Sequence, residues 1–362
     1  MYRFRDESTA IKILERLRSM ELNLTLMHVC GTHQDTIVRY GLDLLLEGCR
    51  IEVRQGPGCP VCVTTMAEVE EAVTLARRGK TITTFGDMLR VPGVSGSLAD
   101  ARAGGADIRV VYSITDAIRI AEKTEREVVF VAIGFETTAP STAVTILKGI
   151  PKNFSILCFH RYLPPALDML LSMGELKVQG IIEPGHVSTI IGVRPYEAIS
   201  RKYRIPQVIA GFEPLDILMA VYMIARQVKN SESIVENEYN RSVRYAGNLK
   251  ALKLIDQVFE PVDSVWRGFP RIRGSKMKLR EEFSVFDSEV RYADELKEII
   301  DADFSEPRGC SCDKVLRGLM EPKECPLFGG TCKPQSPIGP CMVSMEGACN
   351  IEYRYRRTAK IS

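Results

Sequence analysis

The cysteines are the residues of this 362-residue chain with the clearest capacity for chemistry. Six of the 11 cysteines lie in the last 53 residues, a segment rich in Cys, Pro and Gly and poor in periodic hydrophobic residues. Burial of apolar side chains alone cannot order such a segment, so a bound metal centre is the natural source of its structure. The intervals between Cys310, Cys325, Cys332 and Cys349 are fourteen, six and sixteen residues.

These intervals favour an iron–sulfur cluster, because cluster ligands are cysteine thiolates that can lie far apart in sequence. A zinc site of four thiolates usually has two short C-x2–4-C pairs, and no C-x2-C pair occurs in this segment. Zinc and free thiols remain the alternatives. The spacing does not decide whether Cys310 or Cys312 is the first ligand, and it leaves Cys341 without a role.

A second pair of thiols lies in the motif QGPGCPVC, between a predicted strand and a helix that begins near Thr65. Cys59 and Cys62 are three positions apart. Thiols with this spacing at a helix N-terminus have lowered pKa values and can cycle between dithiol and disulfide. Half of a zinc site, completed by Cys30 and His33, is the alternative. We favour redox chemistry or transient metal handling.

The motif MHVCGTHQDTI holds a third group of chemically capable residues, His28, Cys30 and His33. We expect Cys30 and His33 at the carboxyl end of a strand, where the turn into a helix presents side chains to a crevice. One thiolate and one imidazole suit iron with coordination positions left open. A single Cys or His is more often a core residue, but three such residues within six positions favour a site.

Two further turns carry polar residues after predicted strands, GFETTAPS at 134–141 and EPGHVSTIIG at 183–192. Helix capping accounts for the Thr and Ser residues of the first turn but not for Glu136. The second turn carries His186. We therefore add Glu136 and His186 to the candidate catalytic residues. Together, the ends of several strands carry Cys, His, Glu, Thr and Ser, which predicts one shared cleft at a switch point.

The elements that must position these residues are predicted from the alternation of β-type and helical patterns over the first 230 residues. The predicted strands are Leu24–Val29, Ile51–Arg54, Thr81–Phe85, Ile108–Tyr112, Val128–Ile133, Ser155–Phe159, Gly180–Ile182 and Gln207–Ala210. They fall into two groups of four along the chain. We predict two similar parallel-sheet α/β domains at 1–124 and 125–233, and a C-terminal iron–sulfur domain at 234–362.

Composition and charge exclude several classes of function. Hydrophobic residues make up 45% and charged residues 26%, as in ordinary globular proteins. The formal net charge of +2 predicts neither a nucleic-acid partner nor a membrane surface. No apolar run approaches the ~20 residues that span a bilayer. The N-terminal residues are charged and helical in pattern, unlike a signal peptide, so we expect a cytoplasmic protein.

The motifs together resemble the HypD family of [NiFe]-hydrogenase maturation proteins. MHVCGTH, GPGCPVC, GFETTAP and PGHVSTIIG come in the family's order, and C-x14-C-x6-C-x16-C with GPCMVSMEGAC follows them. The resemblance spans nearly the whole chain. It departs at Gln34, where the family usually has Glu, and at Thr65, where it usually has Pro. Gln34 lacks a carboxylate, so we assign position 34 no essential acid–base role.

The resemblance implies a scaffold on which the Fe(CN)2CO group of the hydrogenase is assembled. It implies a complex with the small chaperone HypC and cyanide delivered from a thiocyanate carried by HypE. It also implies that Cys30 binds the transient iron, with His33 beside it, and that Cys59 and Cys62 are the redox pair. The implied ligands of a resident [4Fe-4S] cluster are Cys310, Cys325, Cys332 and Cys349.

Two other classes of function remain as alternatives. The first is a stand-alone iron–sulfur thiol–disulfide oxidoreductase, which would turn over alone with a small redox partner. The second is a structural zinc protein that only docks partners and would be colourless. Neither requires Cys30, so the dependence of iron delivery on this cysteine separates both from the scaffold.

Overall fold

The computed structural model describes residues 5–175, 177–300, 304 and 306–356. The strands are β1 (Leu24–His28), β2 (Ile51–Gln55), β3 (Thr81–Thr84), β4 (Ile108–Val110), β5 (Val128–Gly134), β6 (Phe154–His160), β7 (Gly180–Pro184), β8 (Gln207–Ala210), β9 (Val235–Asn237), β10 (Phe259–Val265) and β11 (Arg271–Leu279). The helices up to β9 are α1 (Glu7–Ser19), α2 (Gly31–Arg39), α3 (Leu42–Glu47), α4 (Pro60–Val63), α5 (Met66–Arg77), α6 (Leu98–Ala103), α7 (Ile114–Ala121), α8 (Ala139–Lys148), α9 (Leu163–Met173), α10 (Gly185–Ile191), α11 (Arg194–Tyr203) and α12 (Pro214–Lys229). The later helices are α13 (Leu249–Val258), α14 (Ser288–Arg291), α15 (Ala293–Ile300), α16 (Cys312–Leu316) and α17 (Ala348–Arg356). Short 3₁₀ turns cover Gly86–Met88, Glu281–Phe286, Pro322–Glu324 and Pro340–Met342.

Two parallel sheets and one hairpin organise these strands. The first sheet has the order β2-β1-β7-β8-β9 and the second has the order β4-β3-β5-β6, with neighbours parallel in both. The strands β10 and β11 form an antiparallel pair. The predicted α/β class with parallel sheets is confirmed, and a cysteine-rich C-terminal region follows the hairpin.

The eight predicted strands are all present with ends within two residues of the prediction, but their grouping by chain order was wrong. Strands β1 and β2 share a sheet with β7 and β8, whereas β3 and β4 join β5 and β6. An apolar strand pattern reports burial on both faces and does not identify the neighbouring strand. The strand β9 was not predicted, and it extends the first sheet from beyond residue 233. The division of the chain at residues 124 and 233 into domains stays a prediction.

One continuous apolar core joins the two sheets to the C-terminal region. It contains Met27 from the first sheet, Val129 from the second sheet, and Cys62 from the short helix α4. The buried side chains of Leu316 and Cys341 extend the same core into the C-terminal segment. The C-terminal segment is therefore packed against the α/β body over apolar surface as well as through its thiols.

A buried ion pair between Arg161 and Glu68 connects the second sheet with helix α5, and Arg161 also contacts the hairpin. Arg161 follows β6, and its guanidinium donates to Glu68 Oε2 at 2.5 Å and to Ser264 Oγ at 3.0 Å. The guanidinium also lies 5.6 Å from the ring centre of Trp266. Glu68 forms a capping box with Thr65 at the start of α5, so the same carboxylate sets the beginning of that helix.

None of the helices within the described ranges is both long and apolar enough to cross a bilayer. The strands β5 and β6 lie in the interior of the protein, since every residue of both is buried.

Replacing Arg161 with Met should lower the free energy of unfolding by about 3–5 kcal/mol, because a buried carboxylate loses its cation. The nearest cation left to Glu68 would then be Lys276, 3.9 Å away. The matched control is Lys202→Met, which breaks an exposed ion pair with Asp168 and should cost less than about 1 kcal/mol. Urea unfolding of both variants measures the difference, and equal losses would contradict this account.

Candidate active site

Turns from both sheets converge on a cleft of about 240 Å³. The turns after β1, β2, β5 and β7 all contribute, so the predicted convergence of the strand ends is found. The lining side chains with polar or reactive groups are Cys30, Thr32, Asp87, Thr137, Thr138, His186, Ser344 and Glu346. The last two come from the C-terminal segment, which closes one side of the cleft.

Cys30 lies at the N-cap of α2 and contributes its thiol to the cleft wall. The turn after β2 packs directly on it, since a Cβ added to Gly58 would lie 2.1 Å from the Cys30 nitrogen. Gly31 N–H donates to the Gly58 carbonyl at 3.2 Å in the same contact. Burial, aided by the nearby Glu346 carboxylate, raises the pKa of Cys30 to about 12. The thiol is therefore protonated at neutral pH until a cation binds it.

His33 lies behind the cleft and does not line it. Its ring is fully buried, and Nε2 donates to the carbonyls of Gly211 at 2.9 Å and Ala210 at 3.3 Å. Burial lowers the pKa of His33 to about 3, so the imidazole is neutral. Since Nε2 carries the proton, Nδ1 holds a lone pair, and it has no hydrogen-bond partner within the described residues.

Gln34 has a structural partner that explains its position. Its Oε1 accepts from His28 Nε2 at 2.7 Å, on the buried side of the first turn of α2. Burial lowers the pKa of His28 to about 4, so a neutral amide faces a neutral imidazole. The carboxamide thus serves His28 and does not reach the cleft lining, which agrees with assigning it no acid–base role.

Cys59 and Cys62 form a disulfide whose two residues are fully buried. Cys59 is the N-cap of α4, and its sulfur accepts from the Cys62 N–H at 3.1 Å. Neither cysteine lines the cleft, but Gly58 and Pro60, their neighbours in the chain, do. The pair therefore lies one layer below the cleft surface, where a protein thiol from outside cannot reach it directly. A redox cycle at this pair stays a prediction.

The structure separates Glu136 from His186. His186 lines the cleft, with its ring stacked on Phe212 at 3.8 Å between ring centres, and desolvation lowers its pKa. Glu136 points instead to a second cavity of about 540 Å³ with mostly apolar walls, which include Tyr162. Its Oε1 accepts from Leu163 N–H at 3.0 Å, and its Oε2 is buried without a partner within the described residues. The expected place of Glu136 on the shared cleft was wrong, because a turn residue can face either side.

Sequence reasoning missed the two carboxylates of the cleft. Asp87 follows β3 and accepts from Ser344 Oγ at 3.0 Å and from Met345 N–H at 3.2 Å. Glu346 accepts from Thr32 Oγ1 at 3.4 Å, and burial together with the Asp87 charge raises its pKa. The argument that residues just after parallel strands meet at one edge of the sheet could have found Asp87, because Asp87 follows the predicted strand Thr81–Phe85. No local sequence pattern marks Glu346, which lies in an irregular segment between the turn Pro340–Met342 and α17.

Five C-terminal cysteines surround one narrow cavity of about 10 Å³, together with apolar side chains. The five are Cys310, Cys312, Cys325, Cys332 and Cys349. Cys341 does not line this cavity, although its thiol lies close to that of Cys312. Within the described ranges, no three His, Cys, Asp or Glu side chains are arranged to hold a single metal ion.

The surroundings of these thiols suit a group bound by sulfur. A Cβ added to Gly339 would lie 2.5 Å from Cys312 Sγ and 2.7 Å from Cys310 Sγ, so the backbone leaves room for the sulfurs there. The Ile338 N–H donates to Cys332 Sγ at 3.4 Å, a contact that stabilises negative charge on sulfur. An apolar pocket lined by five thiols has the donor chemistry of an iron–sulfur site.

The short helix α4 connects the three groups of residues described so far. It carries the buried disulfide, its preceding residue Gly58 contacts Cys30, and it packs against both α16 and the turn Pro340–Met342. Helix α16 begins at Cys312, and the turn contains Cys341. The disulfide therefore lies between the cleft and the thiol cavity.

Comparison with known proteins agrees with this arrangement. A family model named HypD and described as the hydrogenase formation hypA family matches residues 7–356, which is nearly the whole chain. The chain belongs to the HypD family.

Named relatives support the same assignment at full length. A Methanocaldococcus jannaschii protein, whose name provisionally assigns it to hydrogenase expression and formation, is 49% identical over 354 residues, or 96% of both chains. The hydrogenase maturation factor HypD of Rhizobium leguminosarum is 41% identical over 98% of this chain and 94% of its own. That of Escherichia coli is 42% identical over 98% of both chains.

Glu136 should make stability depend on pH. Burial raises its pKa from 4.5 to about 7, so ionisation opposes folding as the pH rises through this range. Glu136→Gln removes that penalty and keeps an acceptor for Leu163 N–H. The variant should exceed wild type in free energy of unfolding by about 3 kcal/mol at pH 8, and match it near pH 4.

Denaturant unfolding at the two pH values measures this effect. The control is Glu15→Gln on the exposed face of α1, which changes the same charge at the surface and should leave stability nearly unchanged at both pH values. A stability gain for Glu136→Gln that is the same at pH 4 and pH 8 would show that ionisation is not its source.

Proposed function

We propose that this HypD-family protein is the scaffold on which the Fe(CN)2CO group of a [NiFe] hydrogenase is assembled, in the cytoplasm and together with a HypC-like chaperone. The observation that carries the proposal is the position of α4. This helix carries the Cys59–Cys62 disulfide and lies between a cleft containing a single buried cysteine and a cavity lined by five thiols. Assembly of a metal–cyanide group needs a metal anchor, an electron source and space for a partner.

The iron is the cargo of the cleft, and Cys30 is its anchor. A soft thiolate suits iron that also carries strong-field diatomic ligands. The high pKa of the free thiol means that iron displaces a proton when it binds, and the Asp87 and Glu346 carboxylates of the same cleft can accept it. His33 holds the turn that carries Cys30 in place, because its ring is hydrogen-bonded to the Gly211 carbonyl just after β8. His186 also lines this cleft.

Cyanide transfer accounts for the dithiol. A HypE-like partner carries cyanide as a protein thiocyanate, and breaking its S–CN bond leaves a thiol only if two electrons are supplied. Oxidation of the Cys59–Cys62 pair, one sulfur a thiol and the other a thiolate, to the disulfide supplies both electrons and one proton. The proton goes to the partner's sulfur, and cyanide leaves as the anion that the iron binds. The products are the disulfide, the partner thiol and iron-bound cyanide.

The C-terminal cysteines would hold a [4Fe-4S] cluster. Cys310, Cys325, Cys332 and Cys349 match the family motif, and Cys312 lines the same cavity. Such a cluster supplies single electrons when it is bound. The chain's own contribution is an apolar pocket, the Ile338 N–H to Cys332 and direct packing of α16 on α4.

Burial of the disulfide argues against the stand-alone oxidoreductase. An enzyme that exchanges disulfides with a partner exposes its attacking sulfur, whereas both Cys59 and Cys62 are fully buried. The scaffold needs no such exposure, because a small thiocyanate group on an extended tail can enter a cleft that a folded thiol protein cannot. A structural zinc protein would not need the pair at all.

The proposal predicts that Cys30→Ser abolishes the infrared bands of iron-bound cyanide and CO in the complex purified with its HypC-like partner. Iron and sulfide bound at the C-terminal cysteines should be unchanged, since the two sites share no ligand. The matched control is Cys49→Ser. Cys49 is another buried free cysteine; it lies in the chain between α3 and β2 and does not line the cleft. Normal bands in the Cys30 variant would refute the anchor.

The C-terminal site predicts brown protein with about four irons and four sulfides per chain when purified without oxygen. Cys325→Ala combined with Cys332→Ala should remove both. Separate Cys310→Ser and Cys312→Ser variants then identify the first ligand, because only loss of a true ligand should lower the iron content to a large extent. Zinc in place of iron in the wild type would contradict the assignment.

A further inference from the structure

Arg267 joins the disulfide helix to the connection between β10 and β11. Its backbone N–H donates to the Val63 carbonyl at 2.9 Å, and its Nε donates to the Thr64 carbonyl at 2.9 Å. Both carbonyls lie at the end of α4, within two residues of Cys62. The guanidinium is almost fully buried, with 1% of the side chain exposed. A buried cation is thus fixed to the helix that carries the disulfide.

The next residue in the chain packs against the C-terminal segment. Gly268 lies so close to α16 that an added Cβ would be 2.8 Å from Asp313 Cα, one residue after Cys312. Arg267 therefore lies where the end of α4 meets the start of α16, which carries Cys312.

The charge of Arg267 is only partly compensated. Its Nη1 is paired with Glu306, whose side chain is 35% exposed and therefore screened by water. Its Nη2 is buried and makes no hydrogen bond within the described residues. Burial of a cation is costly unless negative charge or acceptors surround it, so this position favours the appearance of a negative charge nearby.

Other charged groups near Arg267 are largely balanced against each other. Apart from Arg161, the groups named below line one cavity of about 900 Å³ together with Arg267, between α5, the hairpin and α16. The paired groups are Glu68 with Arg161, Glu289 with Lys276, and Asp313 with Arg317, and the solvent-exposed groups at the rim are Asp263, Arg271 and Lys278. Burial raises the pKa of Glu71 to about 8, so it adds little charge at neutral pH.

We propose that Arg267 is a positioning residue that stabilises the negative charge created when the Cys59–Cys62 disulfide is reduced. Two electrons break the S–S bond, one sulfur takes a proton, and the other remains a thiolate in the field of the guanidinium. In the experiment below a dithiol reductant, dithiothreitol, supplies both electrons and the proton taken up by sulfur, loses its second proton to the buffer, and becomes a cyclic disulfide. The inference rests on the proposed redox role of the pair and assigns the charge that makes reduction of a buried disulfide favourable.

The test is the equilibrium of the whole protein with mixtures of reduced and oxidised dithiothreitol, without oxygen and at one fixed pH. Acid quenching, thiol alkylation and peptide mass analysis give the reduced fraction of Cys59 and Cys62. Arg267→Gln should lower the equilibrium constant for reduction at least tenfold, or about 30 mV for a two-electron couple. Arg267→Lys keeps the charge and should stay within about threefold of wild type.

A third variant should move the equilibrium in the opposite direction. Glu306→Gln removes the compensating carboxylate, so the field of Arg267 strengthens and the constant for reduction should rise. Arg271→Gln is the matched control, because it removes the same charge from the exposed rim of the same cavity and should leave the equilibrium unchanged. A change of opposite sign cannot arise from general loss of structure.

The outcomes separate this inference from the proposed function. Equal shifts in the Gln and Lys variants of Arg267, or a fall in Glu306→Gln, would make Arg267 a structural cap of α4 and overturn the inference. A wild-type pair that cannot be reduced at any ratio would overturn both the inference and the redox part of the scaffold. If Arg267→Gln fails to fold by circular dichroism, the sign of the Glu306→Gln shift decides alone.

Discussion

Close contact between backbone segments is the constraint on which the site depends. The turn after β2 lies against the turn after β1 at Gly58, and the start of α2 lies against the C-terminal segment at Gly31, where an added Cβ would come within 2.4 Å of Glu346 Cβ. A side chain at either position would force the segments apart, because backbone cannot move aside as a flexible side chain can. Cys30, the disulfide and the cleft carboxylates are neighbours because these two glycines permit the contact.

Burial then determines the charge state of the groups so assembled. The pKa values of His28 and His33 are lowered and those of Cys30 and Glu346 are raised, each chiefly by loss of solvent. At neutral pH the two imidazoles and the thiol are therefore uncharged. The raised pKa of Glu346 likewise favours its protonated, uncharged form. An arriving cation meets an environment in which its charge is poorly screened, so ligand binding and proton release are coupled. Arg267 is the contrast, since a guanidinium keeps its proton when buried.

The strands and the meeting of motifs at strand ends could be predicted because both follow from local patterns. Apolar runs mark buried strands, and parallel strands bring their carboxyl ends to one edge. Partner choice could not be predicted, since nothing in β1 distinguishes β7 from β3 as a neighbour. The direction of Glu136 and the arrival of Glu346 depend on tertiary packing of irregular chain, which no periodicity reports. The five-thiol cavity shows the same limit, because spacing alone left Cys310 and Cys312 equivalent.

The interleaved strand order has a consequence for how the protein is made. Strand β1 needs β7 on its inner side, and β7 is synthesised more than 150 residues later, while the second sheet is built from the segment in between. As the chain leaves the ribosome, all strands of the second sheet are available before β7 is made. Until β7 is made, the edge of β1 that faces away from β2 has no strand partner. The CGTH turn can therefore gain its complete surroundings only after β7 and the C-terminal segment have been made. Until then Cys30 lacks the cleft walls that these later segments supply.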